Sequence, residues 1–240
     1  LGIGYQASAL HKIVHLVVDE DAPYWTEPPP GWKLPLFPGV RYMKDPARFR
    51  SSDAADIIAW RDQLAAKYRD QFGELLTWDE GSDVSESAET ATGADVSFRY
   101  VAALLDERGP EGIHDLVGTT KPGHAEIARA LHEADRRGFT GRFPQFLLVS
   151  KYWLPFQRNM VIEEPSWLGT VERFGSNYRL TEELQQVRDA ILAVDPSAAL
   201  WTVDREIPDE TLWAAWHASE AFSRICAIAT SQHLPFWGTT

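Results

Sequence analysis

His11 and His15 stand four residues apart, a spacing that on a helix sets both imidazoles on one face, as a zinc pair requires. The surrounding KIVHLVV favours a strand, where the two rings share a side but lie further apart. Asp19, Glu20 or Asp21 could complete a site, although the pattern is not HExxH and no third ligand is singled out. These two histidines are the metal candidates, set against plain packing or surface roles.

A second group gathers His114, Asp115, His124, Glu126, His132 and Glu133. Such side chains move protons near neutral pH and can ligate transition metals. On one helix, however, His124 and His132 project about 80° apart, so a shared site needs residues from other elements. A hydrolase built on His114, His124, His132 and Glu163 is the enzymatic reading of this set, with or without a metal. Glu163 and Glu164 follow the strand-like MVI and face opposite ways there, which makes them poor partners for paired-carboxylate chemistry.

Other chemistries leave weaker traces. In GPEGIHDLVGTTKPG, Lys121 is followed by Pro122 where a phosphate loop needs Ser or Thr. GIG at Gly2 to Gly4 is only part of a dinucleotide fingerprint. Ser176 in RFGSNYR lacks the GxSxG strand-to-helix signature. Cys226 lies in an apolar helical run and reads as an inert buried thiol. No cofactor is expected from these patterns.

Two compositional features are stronger. Ten Trp in 240 residues is a high count, and Trp25, Trp32, Trp78, Trp153, Trp167 and Trp237 lie beside loop signals. Exposed aromatics anchor interfaces because they bury a large area at low conformational cost, whereas the plain alternative is core packing. Between Asp70 and Phe98 there are eight acids and no Lys or Arg. The stretch over 79–95 has almost no large apolar side chain to offset ordering, which predicts a flexible solvated loop.

The elements that must position these residues are punctuated by Pro, Gly and periodic apolar residues. HKIVHLVVDED reads as a buried strand, and six prolines from Pro23 to Pro38 exclude a regular helix or central strand after it. Tyr24, Trp25, Trp32 and Phe37 argue that this segment lies against something. Ile57, Trp60, Leu64, Tyr68 and Phe72 form an amphipathic stripe over 52–72, with Ser52 as a cap. Further helices are predicted over VSFRYVAALLDERG, over the turn-and-helix GTTKPGHAEIARALHEADRRG with Gly138 at its end, over LTEELQQVRDAILAV with Thr181 as cap, and over 210–230. QFLLVSKYW, NMVIEEP and ALWTVDR are the strand candidates. The mixture predicts an α+β fold: one helix-rich domain over 1–240 with a small mixed β-sheet.

Thirty-five acidic against 23 basic residues give a formal net charge of -12. That balance argues against nucleic acid, whose binders neutralise phosphates, and against an anionic membrane surface. One cysteine permits neither an internal disulfide nor a cysteine-rich zinc finger. No stretch reaches the roughly 18 apolar residues of a membrane span, and the first residues lack the charge and cleavage pattern of a signal peptide. A cytoplasmic location is the expectation. Acidity, aromatic excess and incomplete catalytic motifs together favour a non-enzymatic binding or inhibitory protein for a basic protein partner. Its contact residues would be Trp25, Trp32, Trp78, Asp79, Glu80, Asp83 and Glu86. The C-terminal LPFWG, from Leu234, is expected either to close the chain's own core or to dock on a second copy as a homo-oligomer.

Overall fold

A six-stranded mixed sheet between helices organises the chain in the computed structural model, which describes residues 4–10, 14–16, 24–25, 42–43, 49–51, 54–90, 93–119, 122–149, 151–201 and 210–239. In chain order the elements are β1 (Gly4–Ser8), β2 (Val14–Leu16), β3 (Tyr24–Trp25), β4 (Tyr42–Met43), β5 (Phe49–Ser51), α1 (Ala54–Phe72), β6 (Ser85–Glu89), α2 (Ala94–Arg108), α3 (Glu111–His114), α4 (His124–Arg137), α5 (Pro144–Leu147), β7 (Tyr152–Leu154), β8 (Ile162–Pro165), β9 (Val171–Ser176), α6 (Asn177–Val194), α7 (Thr211–Ser231) and β10 (Phe236–Thr239). The fold is α+β and helix-rich, with a small mixed sheet. Its strand order is β6-β1-β10-β7-β9-β8, antiparallel throughout except for the β7–β9 pair. Two short ladders, β2 with β5 and β3 with β4, stand apart from it.

Alternation along the strands divides the core into two halves. Tyr5, Ala7, Trp153 and Phe236 face a cluster built from α2, α4, α6 and α7, whereas Tyr152, Leu154, Phe174 and Trp237 face α1. The helix α7 packs between α2 and α6 and buries 12 of its 21 residues, a wide face that its apolar positions supply. On α1 only Ile57, Leu64 and Tyr68 are buried, so that helix covers the second sheet face with one stripe. Gly73 ends α1 at φ 71°, a left-handed conformation that glycine adopts without a Cβ clash.

Several local expectations meet a different structure. Of the expected strand QFLLVSKYW, residues 145–147 belong to α5 and only its end enters β7, because Pro144 starts a helix readily and the Glu183 carboxyl group accepts from the amides of Gln145 and Phe146. The helix α6 begins at Asn177 and is capped by Ser176, whose Oγ accepts from the Arg179 amide at 3.1 Å. Thr181, the expected cap, instead donates its hydroxyl to the Asn177 carbonyl. Pro196–Leu200 is a 3-10 turn rather than the start of a strand, and 202–209 lie outside the described residues. Of the expected strand over 11–21, Val14–Leu16 is β2, and the rest, like most of the proline-rich segment, lies outside the described residues.

The acidic segment is also different from its composition. Within 79–95, Ser85–Glu89 forms edge strand β6 on β1, and α2 begins at Ala94. Ladder hydrogen bonds to β1 supply what the small, polar side chains cannot. The C-terminal segment closes the chain's own core: Leu234, Phe236 and Trp237 are buried, and β10 sits between β1 and β7. Of the two roles expected for this segment, the buried side chains fill the first, closing the chain's own core.

Gly175 of β9 faces Trp153 across the parallel pair, and a Cβ there would fall 2.6 Å from Trp153 Cδ1 and 2.9 Å from Gln145 Oε1. Replacement by alanine (Gly175→Ala) is expected to cost about 1–3 kcal/mol through overpacking. Urea unfolding of the variant checks this, and an unchanged midpoint would mean that the indole has room to move.

Candidate binding surface

Residues 76–80 alternate between inside and outside, like a strand. Leu76, Trp78 and Glu80 are buried, while Thr77 and Asp79 are exposed. Trp78 is 3% exposed and Glu80 2%, and the indole Nε1 donates to Glu80 Oε1, as does the Leu10 amide at 3.1 Å. A buried carboxylate is tolerated where donors replace its lost water. Arg61 closes the cluster by donating to the Trp78 carbonyl at 2.6 Å. Trp78 and Glu80 are therefore core residues, which corrects their expected place on an exposed contact surface.

Asp79, Asp83 and Glu86 do reach solvent. Asp79 Oδ1 accepts the Gly81 amide at 2.8 Å, which turns the chain toward β6. On β6, Ser85 opposes Ser8, Glu86 opposes Ala7 and Ser87 opposes Gln6, so this strand ends the sheet and places the exposed Glu86 there. Among the described residues none of Asp79, Asp83 and Glu86 forms an ion pair. Trp25 lies in β3 opposite Tyr42, and Trp32 falls outside the described residues.

The histidines occupy separate elements. His114 ends α3 and lines a shallow groove of about 510 Å³ with Glu111 and Asp115, beside Ala193 and Val194 of α6. His124 opens α4, and His132 is exposed on the same helix. Glu163 on β8 contacts Arg173 at 3.4 Å, and Arg173 also binds Asp135 of α4 at 2.8 Å. No hydrogen bond or ion pair among the described residues joins any two of His114, His124, His132 and Glu163. Nor do the described residues contain a group of three or more His, Cys, Asp or Glu arranged to hold a metal ion. His15 lies in β2 opposite Arg50, and His11 is outside the described residues.

Ser176 does sit at a strand-to-helix junction, between β9 and α6. Its hydroxyl is buried, donating to the Phe156 carbonyl while capping α6, and is committed to holding that turn. Cys226 is enclosed, with its Sγ 3.1 Å from Thr181 Oγ1, and burial pushes the thiol up to about 12. A thiol held protonated at neutral pH is a poor nucleophile.

Sequence reasoning missed the polar network inside the helical half of the core. Glu183 accepts from the amides of Gln145 and Phe146, at 3.1 and 2.9 Å. The Gln145 side chain accepts from the Ser176 amide and donates to Asn159 and the Met160 carbonyl, and the Gln145 backbone carbonyl accepts from Trp153 Nε1 at 2.8 Å. Burial pushes the Glu183 carboxyl up to about 8, against the downward pull of the two amides. The only sequence trace of this network is a polar Gln145 inside an apolar run.

The fold and surface define an α+β protein with its sheet covered on both faces and a carboxylate-bearing edge. No family model, no curated protein and no solved structure matches the chain. Among the described residues no helix is long and apolar enough to cross a membrane.

Proposed function

We propose that the chain is a cytoplasmic, non-enzymatic binding or inhibitory protein that takes a basic protein partner on its β6 edge. The observation that carries this reading is the exposure of Asp79, Asp83 and Glu86 with no ion pair among the described residues. An unpaired carboxylate at a sheet's rim keeps its full attraction for a cation and speeds encounter with a positive partner. The outer backbone of an edge strand adds hydrogen-bonding groups that an extended segment can complete. The net charge of -12 acts in the same sense at longer range.

A fluorescent Lys/Arg-rich peptide titrated into the full chain tests the proposal. The double variant Asp83→Asn with Glu86→Gln, which shifts the net charge by the same two units as the control below, is expected to weaken binding by about tenfold at low salt. The control Asp189→Lys, on the exposed face of α6, should change it far less. Equal losses in both variants would reduce the effect to net charge and overturn the assignment to β6.

One observation favours the hydrolase alternative: His114 shares its groove with Glu111 and Asp115. In this form the reading rests on His114 without His124, His132 or Glu163. Ester hydrolysis by the full chain that is lost in His114→Ala would support it, and activity retained in that variant would exclude it.

A further inference from the structure

Trp60 projects from α1 toward the β8–β9 hairpin, and its indole is fixed on several sides. Its Nε1 donates to the Pro165 carbonyl at 2.8 Å. Its ring meets Trp167 edge-on at 5.1 Å and Phe174 at 5.1 Å. Beside it opens a cleft of about 210 Å³, lined by Trp60, Gln63, Leu64, Lys67, Glu164 and the Pro165–Ser166 turn. Leu64 is buried in the second half of the core, while Gln63 and Lys67 stand exposed one helical turn apart. Lys67 Nζ reaches Glu164 Oε2 at 2.7 Å, so α1 and β8 are joined at the cleft by an ion pair.

Three features of this cleft limit what it can bind. With its indole N–H already committed, Trp60 offers a ligand apolar surface rather than a donor. The ammonium of Lys67 and the carboxylate of Glu164 cancel in charge, which removes the attraction for an ion but leaves a donor beside an acceptor. Gln63 adds an amide that both donates and accepts. An apolar platform edged by paired donors and acceptors complements a neutral ring with an apolar face and hydroxyls around its rim. At about 210 Å³ the cleft falls below the roughly 300–1,000 Å³ of pockets for drug-sized ligands. One ring, rather than an extended molecule, is the unit it accommodates.

We infer that this cleft is a saccharide-binding subsite. One pyranose ring stacks on Trp60, and neighbouring hydroxyls bridge Gln63 and the Lys67–Glu164 pair. The rigid indole has few rotamers to lose on binding, which suits a ligand that contributes only weak contacts. This site is separate from the β6 edge, so its test is independent of the basic-partner proposal.

The test is a calorimetric and tryptophan-fluorescence titration of the full chain with cellotriose, maltotriose and chitotriose, with adenosine as a flat aromatic control. Saturable binding of at least one saccharide is expected, with adenosine inert. Gln63→Ala and Lys67→Ala alter exposed side chains and should leave the fold intact, so each is expected to weaken that binding by about tenfold. Trp60→Ala should abolish it, with the melting temperature recorded because this ring also packs against the core. The inference fails if all three saccharides remain unsaturated at tens of millimolar. It fails equally if adenosine binds as well as they do, or if Gln63→Ala and Lys67→Ala bind like the parent.

Discussion

Trp153→Ala is expected to remove about 3–5 kcal/mol of stability, a large part of the roughly 5–15 kcal/mol that holds a typical domain folded. The ring is fully buried on β7, 5.0 Å from Phe236 and directly over Gly175. Its removal empties the place where the helical cluster meets the sheet. It also takes the indole donor from the Gln145 backbone carbonyl, beside Glu183 and Ser176, which stay buried. Urea unfolding followed by near-ultraviolet circular dichroism measures the loss. A cost below about 1 kcal/mol would mean that neighbouring rings collapse into the space, contrary to close packing at this site.

Stability is expected to fall as the pH rises through the Glu183 transition. The folded chain holds the Glu183 proton up to about 8, whereas an unhindered glutamate releases it near 4.5. The protonated group's contribution is therefore fully present below 4.5 and is lost as the pH climbs to about 8. The slope within that window is on the order of 1 kcal/mol per pH unit. Asp95, whose carboxyl burial also pushes upward, acts in the same direction. The charged groups around Glu183 do not neutralise it. Asp106 of α2 is engaged by Arg137 at 2.7 Å, and Glu182 by Arg179 at 2.8 Å. Denaturation curves recorded from about pH 5 to about pH 9 test the slope. Glu183→Gln should flatten it while costing about 1–2 kcal/mol, because one amide of α5 then faces an NH₂ group. An equal slope in parent and variant would place the titration elsewhere.

The long helices were legible because their signals are local. The stripe Ile57, Trp60, Leu64, Tyr68 on α1, and Gly138 at the end of α4, lie within a few turns of what they specify. The same holds for the length of α7, which follows from a run without Pro or Gly. At the candidate surface, the exposure of Asp79, Asp83 and Glu86 agrees with a segment over 79–95 that has little apolar surface to bury.

Tertiary structure decided the rest, because the deciding partner in each case is remote in the chain. Gly4 pairs with Thr239, so neither β1 nor β10 can be recognised from its own neighbourhood. The edge strand β6 exists because β1 supplies ladder bonds that its serines and acids would not otherwise gain. Glu80 is buried because Trp78 and the Leu10 amide solvate its carboxylate, although its composition alone argues for water. Likewise α5 is helical because Glu183, 37 and 38 residues away, accepts from its first amides. Sequence by itself determined which segments carry a helical period. Only the folded chain determined strand partners and the burial of polar groups, since a hydrogen bond stabilises either end solely when both are brought together.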